Sequence, residues 1–547
     1  MKKIISLVAL GFWLAPASQA ATTFPSLRTR LVADTAQKAK APANWFNLDP
    51  QENRVPGVST EKVYEYLKNR PSRTVVVAVI DSGIDVAHED LKDKIWVNED
   101  EIAGNGRDDD KNGYIDDVHG WNFIGGKDGR NVEYDTQELT RLYVALKEKF
   151  EGPKGEKLQK KEKENYALYR RVKEEYEKEW EQAQAQYSQF QQLFQAYQAA
   201  SAIIEKHLGR EDFTEKDLAG ITSTDPKVAQ ARSMLSYMAQ NDLNKEAFTE
   251  GEDYFMAKLK YHLNPEYNSR AIVGDNYQDV NEKGYGNNDV TGTFAEHGTH
   301  VAGIIGANRN NNLGVKGIAD NVKIMVIRAV PNGDERDKDV ANAIYYAVDN
   351  GARVINMSFG KEFSPNKAAV DAAVKYAEAK GVLLVHGAGN DSKNIDAADN
   401  FPTRQISARQ AVNNWLEVGA SSWGGDGPRF VGDFSNYGKK SVDVFAPGVD
   451  VYSTIPKQGY KSNSGTSMAA PVTTGVSALL LSYFPELTAG QVRDIVLKST
   501  VKYKGLKVNQ PGEGKKPTMI DFDELSVSGG IVNAYEAIRM AELLTRK

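Results

Sequence analysis

Cysteine is absent from all 547 residues. That excludes disulfides, thiolate metal sites and a cysteine nucleophile. Long apolar runs are also lacking. The longest, Ile4 to Leu14, falls short of the roughly 20 residues a membrane-spanning helix needs. It follows Lys2-Lys3 and precedes Ser18-Gln19-Ala20, with small residues at −3 and −1 of a cut after Ala20. This pattern predicts a signal peptide over 1–20, a secreted or periplasmic protein, and no membrane span once the signal is removed. A basic surplus is lacking as well: net charge is −6, which implies no general affinity for nucleic acid. An exported chain without disulfides needs another source of resistance, and bound calcium is one candidate.

Other absences are local. Glycine and proline do not occur in residues 160–208, a stretch rich in Glu, Lys and Gln. Its larger side chains fall at Tyr176, Trp180, Ala183, Tyr187, Phe190, Phe194, Tyr197, Ile204 and Leu208. The three-and-four spacing predicts a long helix with a packing seam, about 70 Å at 1.5 Å per residue. Asp225-Pro226 signals a second helix start, and Lys245 to His262 reads as a third. So polar a helix is stable only against a partner. A coiled-coil-like helical insertion over 130–268 is therefore expected, and a docking role for it is one reading. In Asp108-x-Asp110-x-Asn112-Gly113, oxygen ligands alternate as in a calcium loop. The glutamate expected at the twelfth position is missing, replaced by His119. The loop is thus not an EF-hand, and Asp116 or Asp117 is expected to close the shell.

What remains has the rhythm of an α/β fold. The run Thr74 to Ile80 is β-branched and continuous and ends in Asp81-Ser82-Gly83, as in a strand buried on both faces. Val322–Ile327, Val354–Gly360, Val382–Val385, Trp415–Ala420 and Ser441–Phe445 read as further strands. Helices are expected over Asp337–Asn350 and Pro365–Lys380, each stopped by glycine. Such alternation predicts a parallel sheet flanked by crossover helices. Asp81 is then either a turn cap or a buried carboxylate with a partner. Ser467, in Asn463-Ser464-Gly465-Thr466-Ser467-Met468-Ala469-Ala470-Pro471, sits where a turn feeds a buried helix. It is either a cap or a nucleophile whose oxyanion its own N–H could meet. His297 and His300 open another helix packed with small residues. A third metal ligand is lacking there, as is the glutamate of His-Glu-x-x-His.

Three motifs then fall in one order: Val79-Ile80-Asp81-Ser82-Gly83, His297-Gly298-Thr299-His300-Val301-Ala302-Gly303 and Gly465-Thr466-Ser467-Met468-Ala469-Ala470-Pro471. They resemble the subtilisin family of serine endopeptidases. The resemblance covers roughly 71–127 and 270–500. It implies a subtilisin-like fold in which Ser467 is the nucleophile, His297 the general base and Asp81 its orienting carboxylate. His300 would be structural. Asn390 would donate to the oxyanion, Ser358-Phe359-Gly360 would pair with an extended protein or peptide substrate, and Ala388-Gly389 would wall the S1 pocket. It also implies a structural calcium held by Asp90, Asn311 and the carbonyls of Arg309, Leu313 and Val315. The chain departs from the family pattern in three ways. Asp81 and His297 are 216 positions apart, His386 stands where a small residue is usual and is expected to tune the S1 side, and no inhibitory pro-domain is evident before Asp81.

The expected organisation is a signal peptide at 1–20, an N-terminal segment at 21–70, a catalytic domain in two parts at 71–129 and 269–547, and the insertion between them. Two rival functions are a binding pseudoprotease, with the insertion blocking the cleft, and an esterase. The esterase lacks support because the serine motif has no second glycine of Gly-x-Ser-x-Gly.

Overall fold

The computed structural model describes residues 41–152, 160–424, 427–512 and 518–545. The expected signal peptide lies outside them. The chain forms two compact units, one over Leu139–Tyr267 and one over Lys40–Glu138 with Asn268–Lys547. Among the described residues no helix is long and apolar enough to cross a membrane.

Among the described residues the larger unit is built on a nine-stranded sheet. Its strands are β1 (Val75–Asp81), β2 (Gly120–Asn122), β3 (Val322–Arg328), β4 (Val354–Met357), β5 (Leu383–Gly387), β6 (Trp415–Ser421) and β7 (Val444–Pro447), with Val501–Lys502 and Gly530–Ile531 beyond β7 at one edge. The spatial order from β7 inward is β7-β6-β5-β4-β1-β3-β2, and all these neighbours are parallel. Val501–Lys502 pairs antiparallel with Gly530–Ile531.

Side-chain alternation sorts the strands onto two cores. Val75, Val77 and Val79 of β1 join Val322, Ile324 and Val326 of β3 on one face. Ala78 and Ile80 join Met325 and Ile327 on the other. The first face is covered by helices α1 (Glu296–Gly306) and α4 (Thr466–Tyr483), the second by α2 (Asp337–Asp349) and α3 (Lys367–Ala379). Burial on both sides explains why these strands read as continuous apolar runs. The chain runs from β1 to β3 on one side and returns to β4 on the other. Ligands of such sheets bind at that reversal, beyond the carboxyl ends of the strands. A hairpin, β8 (Val451–Ile455) and β9 (Gly459–Asn463), leads directly into α4.

The smaller unit contains the expected long helix, Lys160–Leu208. It also has Pro226–Gln240, whose cap Asp225 accepts from Lys227 N at 2.8 Å. Lys245–Ala257 follows and continues into a π-turn over Lys258–His262. Phe190, Ile204, Leu235, Met238, Phe248 and Phe255 form its core. The centre of the expected seam is thus packing. Trp180, Tyr187 and Phe194 are only half-buried. A helix over Glu138–Phe150, not among those expected, precedes the long one.

Candidate active site

Three adjacent strands deliver the site at their carboxyl ends: β1 gives Asp81, β4 leads into Ser358, and β5 leads into Asn390. The Asp81 carboxylate is 2% exposed. Its Oδ1 accepts from Ser82 N at 2.8 Å and faces His297 Nδ1 at 2.7 Å. Oδ2 has no partner among the described residues. His297 stands in the first turn of α1. That turn reaches β1 only because residue 298 is glycine: a Cβ there would lie 2.2 Å from Gly83 O. Farther along α1, a Cβ on Gly303 would strike the Thr454 and Ser453 hydroxyls at 2.2 and 2.3 Å. Those hydroxyls instead bond the Thr299 and His300 carbonyls. The close approach implied by the small residues of this motif is therefore to β8.

His297 titrates above its ordinary value. Partial burial works against the imidazolium, but the charge and hydrogen bond of Asp81 outweigh it. His300 is the opposite case. Fully buried, it is pushed down to about 4 by desolvation. Its Nε2 donates to Lys461 O at 3.0 Å, so it is a neutral ring that ties α1 to β9.

Ser467 lies in the first turn of α4, where backbone N–H groups lack intrahelical acceptors. Pro471 lies four residues on and has no N–H to give the Ser467 carbonyl. The Ser358 hydroxyl takes that place at 3.0 Å, and the Ser467 hydroxyl in turn donates to Ser358 O at 3.2 Å. Asn356 Nδ2 holds the Ser358 hydroxyl at 2.9 Å, and Thr474 holds Asn356 Oδ1 at 2.9 Å. The nucleophile candidate is thus locked onto the end of β4.

The orientation of the Asn390 amide follows from its partners. Thr466 N donates to Asn390 Oδ1 at 2.9 Å, and a backbone N–H can only donate. The amide NH2 is then left without a partner among the described residues. A Cβ on Gly465 would stand 3.6 Å from Asn390 Nδ2 and 3.7 Å from Ser467 Cβ, so both groups border Gly465. Gly389 N donates to the Thr466 hydroxyl at 3.0 Å, and Ala388 O accepts from Asn436 Nδ2 at 2.8 Å and Asn400 Nδ2 at 3.1 Å. Along the neighbouring segment, Phe359 O accepts from His386 Nε2 at 2.7 Å, and Lys361 exchanges backbone bonds with Phe401. Gly360, between them, is exposed, and its N–H and C=O bond to nothing among the described residues.

The acidic loop divides its carboxylates between two tasks. Asp108 accepts from Asn112 N and Gly113 N, and Asp116 from Asn105 N and Gly106 N, so both shape turns. Asp110 and Asp117 converge with Glu101, their oxygens within 4.8 Å of one another. Burial pushes Asp117 upward. Asn112 bridges Asp110 and Asp117 through its amide nitrogen. Three carboxylates this close repel, and a divalent cation with oxygen ligands would relieve that. Glu101 has no signal in the loop's own spacing, because it lies before it. At the other expected site, Asn311 Nδ2 meets Asp90 Oδ1 at 2.5 Å, and Val315 N meets Oδ2 at 3.2 Å. Asn311 Oδ1 is held by Leu313 N at 3.0 Å. The Arg309 guanidinium pairs with Glu61 at 3.1 Å. The Tyr460 hydroxyl also donates to Oδ2 at 3.3 Å, so hydrogen-bond donors rather than bare ligand oxygens meet Asp90.

Residues 72–514 match the model of the subtilase family, and the chain belongs to that family. Similar proteins include the thermophilic serine proteinase of Bacillus sp. (strain AK1), 42% identical over 187 residues, which are 34% of this chain and 42% of that protein. The major intracellular serine protease of Bacillus subtilis (strain 168) is 34% identical over 224 residues, 41% of this chain and 65% of that protein. Subtilisin DY of Bacillus licheniformis is 38% identical over 200 residues, 36% of this chain and 68% of that protein. The chain thus spans less than two thirds of the first two.

Proposed function

We propose that the chain is an exported serine endopeptidase that hydrolyses peptide bonds through an acyl-enzyme. The observation that carries this reading is the 2.7 Å contact between buried Asp81 and His297, at the same end of the sheet as Ser467. In this mechanism Ser467 Oγ leaves Ser358 O, gives its proton to His297 Nε2 and attacks the scissile carbonyl. Asp81 stabilises the imidazolium that forms. The oxyanion is met by the Ser467 N–H and the Asn390 amide. His297 then protonates the leaving amine, and a water activated by the same ring releases the acyl group from Ser467.

Gly360 supports an extended substrate. Its neighbours turn their carbonyls or N–H groups inward, and in a strand consecutive peptide groups face opposite sides. The Gly360 N–H and C=O are therefore offered to a peptide laid beside Ser358-Phe359-Gly360, with Ala388-Gly389 along the S1 side. Calcium would be structural, held by Asp110, Asp117 and Glu101; the Asp90–Asn311 pair would serve a second ion only with its amide turned over. The helical unit would gate protein substrates or dock a partner.

A peptide-library cleavage profile, with Ser467→Ala as control, tests the reading. Defined peptide products that vanish in the variant are expected. Cleavage that persists in Ser467→Ala, or ester turnover without peptide turnover, would end it.

A further inference from the structure

His386 occupies the fourth position of β5, its side chain fully buried. Both ring nitrogens face acceptors. Nδ1 lies 2.9 Å from Glu417 Oε1, and Nε2 lies 2.7 Å from Phe359 O. Glu417 is itself fixed. Trp415 Nε1 donates to its other oxygen at 2.8 Å, and its backbone N–H binds Asp443, which Arg404 and Arg493 neutralise. The ring also underlies Gly360, whose missing Cβ would stand 3.6 Å from His386 Nε2.

The proton inventory of this bridge is constrained. A carbonyl oxygen only accepts, so Nε2 must carry a hydrogen. The contact with Glu417 needs a second hydrogen, on Nδ1 or on the carboxyl. Either way the His386–Glu417 pair holds one proton more than a neutral ring beside a carboxylate. When that proton leaves, the remaining ring hydrogen goes to the carboxylate, the stronger acceptor. Nε2 then turns a lone pair toward Phe359 O at contact distance, and the segment bearing Gly360 loses its support.

We propose that His386 is a positioning residue for substrate binding, a protonated strut between Glu417 and the Phe359 carbonyl that holds the Gly360 peptide groups in register for an extended peptide. This rests on the protease reading above and deepens it. Burial works against the charged ring, but the charge and hydrogen bond of Glu417, the Phe359 carbonyl and the more distant Glu335 together outweigh it. Glu335 is itself pushed up to about 7 by burial, against the pull of Lys361. From the helices packed on β5, α4 brings no Asp, Glu, Lys, Arg or His, while the helix Ala489–Lys498 brings Arg493, held by Trp415 O and Asp443, and the paired Asp494 and Lys498. On α3, Lys367 is paired with Asp371, and Glu378 accepts from Asn413 N. The folded-state value is raised, so the strut is intact below it and lost as pH rises through it.

The test is the pH profile of KM and kcat for a tetrapeptide anilide, measured on the full chain. In the wild type, KM should rise about tenfold on the alkaline side while kcat stays level, the size expected for one buried hydrogen bond turned into an unsatisfied pair. Glu417→Gln should flatten the KM profile, because a neutral amide can donate to bare Nδ1 and leave the Nε2 hydrogen on Phe359 O at every pH. His386→Gln should remove the alkaline rise as well. Nitrogen NMR of the histidine-labelled wild type gives a readout without any variant: His386 Nε2 should be protonated at neutral pH. A flat wild-type KM profile, or a bare Nε2, would overturn the proposal. If Ser467 still reacts with a fluorophosphonate in that case, the strut alone fails; if it does not, the protease reading fails too.

Discussion

Replacing Asp81 by Asn isolates what the buried carboxylate contributes. Oδ1 serves both Ser82 N and His297 Nδ1, while Oδ2 has no partner among the described residues. An asparagine oxygen left in the Oδ1 position keeps both bonds, and then only the charge is lost. Two unit charges about 4 Å apart attract by about 4 kcal/mol at an effective dielectric of about 20. The His297 side chain is 40% exposed, so screening reduces this to about 2–4 kcal/mol. That corresponds to about 30- to 1,000-fold in kcat. If the amide turns to avoid burying an unpaired NH2, the ring is held in the wrong tautomer, and the loss reaches about 10⁴-fold, as in other triads. Peptide-anilide kinetics over pH would measure both effects. A second signature has a fixed sign. Asp81 raises the His297 pKa, and the base works only when neutral, so wild-type activity appears as pH rises through a value above the ordinary imidazole range. In Asp81→Asn that limb should move to lower pH. A loss below tenfold, or an unmoved limb, would refute the coupling of these two groups.

Asn390→Asp keeps the acceptor for Thr466 N and removes the amide donor. It should lower kcat by about 10²–10³ with little change in KM, a size taken from subtilisin's own oxyanion donor rather than from this geometry. Gly298→Ala puts a methyl 2.2 Å from the Gly83 carbonyl. It should destabilise the fold by about 1–3 kcal/mol and slow fluorophosphonate labelling, as followed by thermal melts and labelling rates. Calcium at about 100 times its dissociation constant should stabilise by about 2.7 kcal/mol, or roughly 3 °C in a unit of this size. Chelator should reverse that shift, and Glu101→Gln should shrink it; an unchanged melting temperature would remove calcium from the account. Deleting residues 139–267 should alter turnover of folded proteins more than that of tetrapeptides. Equal turnover and unchanged localisation would leave the helical unit without the proposed role.

The sheet was legible where burial on both faces made it so. Val75–Asp81 and Leu383–Gly387 are runs that no amphipathic helix would carry. The long helix was legible from the absence of glycine and proline and from its aromatic spacing. Short segments were not. Gly120–Asn122 and Gly530–Ile531 owe their strand geometry to neighbours rather than to their own residues. Within the site, the motifs marked Asp81, His297 and Ser467, but a 216-residue gap leaves no local sign that the first two touch. Polar partners set at long range were hidden most completely. Glu101 lies outside the loop it joins. Glu417, a charge inside the buried strand Trp415–Ser421, was the one visible hint of what His386 would meet. Pro471 became intelligible only with Ser358 beside it, because its missing N–H frees the Ser467 carbonyl for that hydroxyl.

The most direct test of the central claim is stoichiometric labelling of the native protein with a fluorophosphonate, followed by peptide mapping. One label per chain is expected, on Ser467, with peptide hydrolysis lost in step and the rate rising with pH through the His297 titration. A label on another residue, or full peptide hydrolysis after Ser467 is modified, would contradict it.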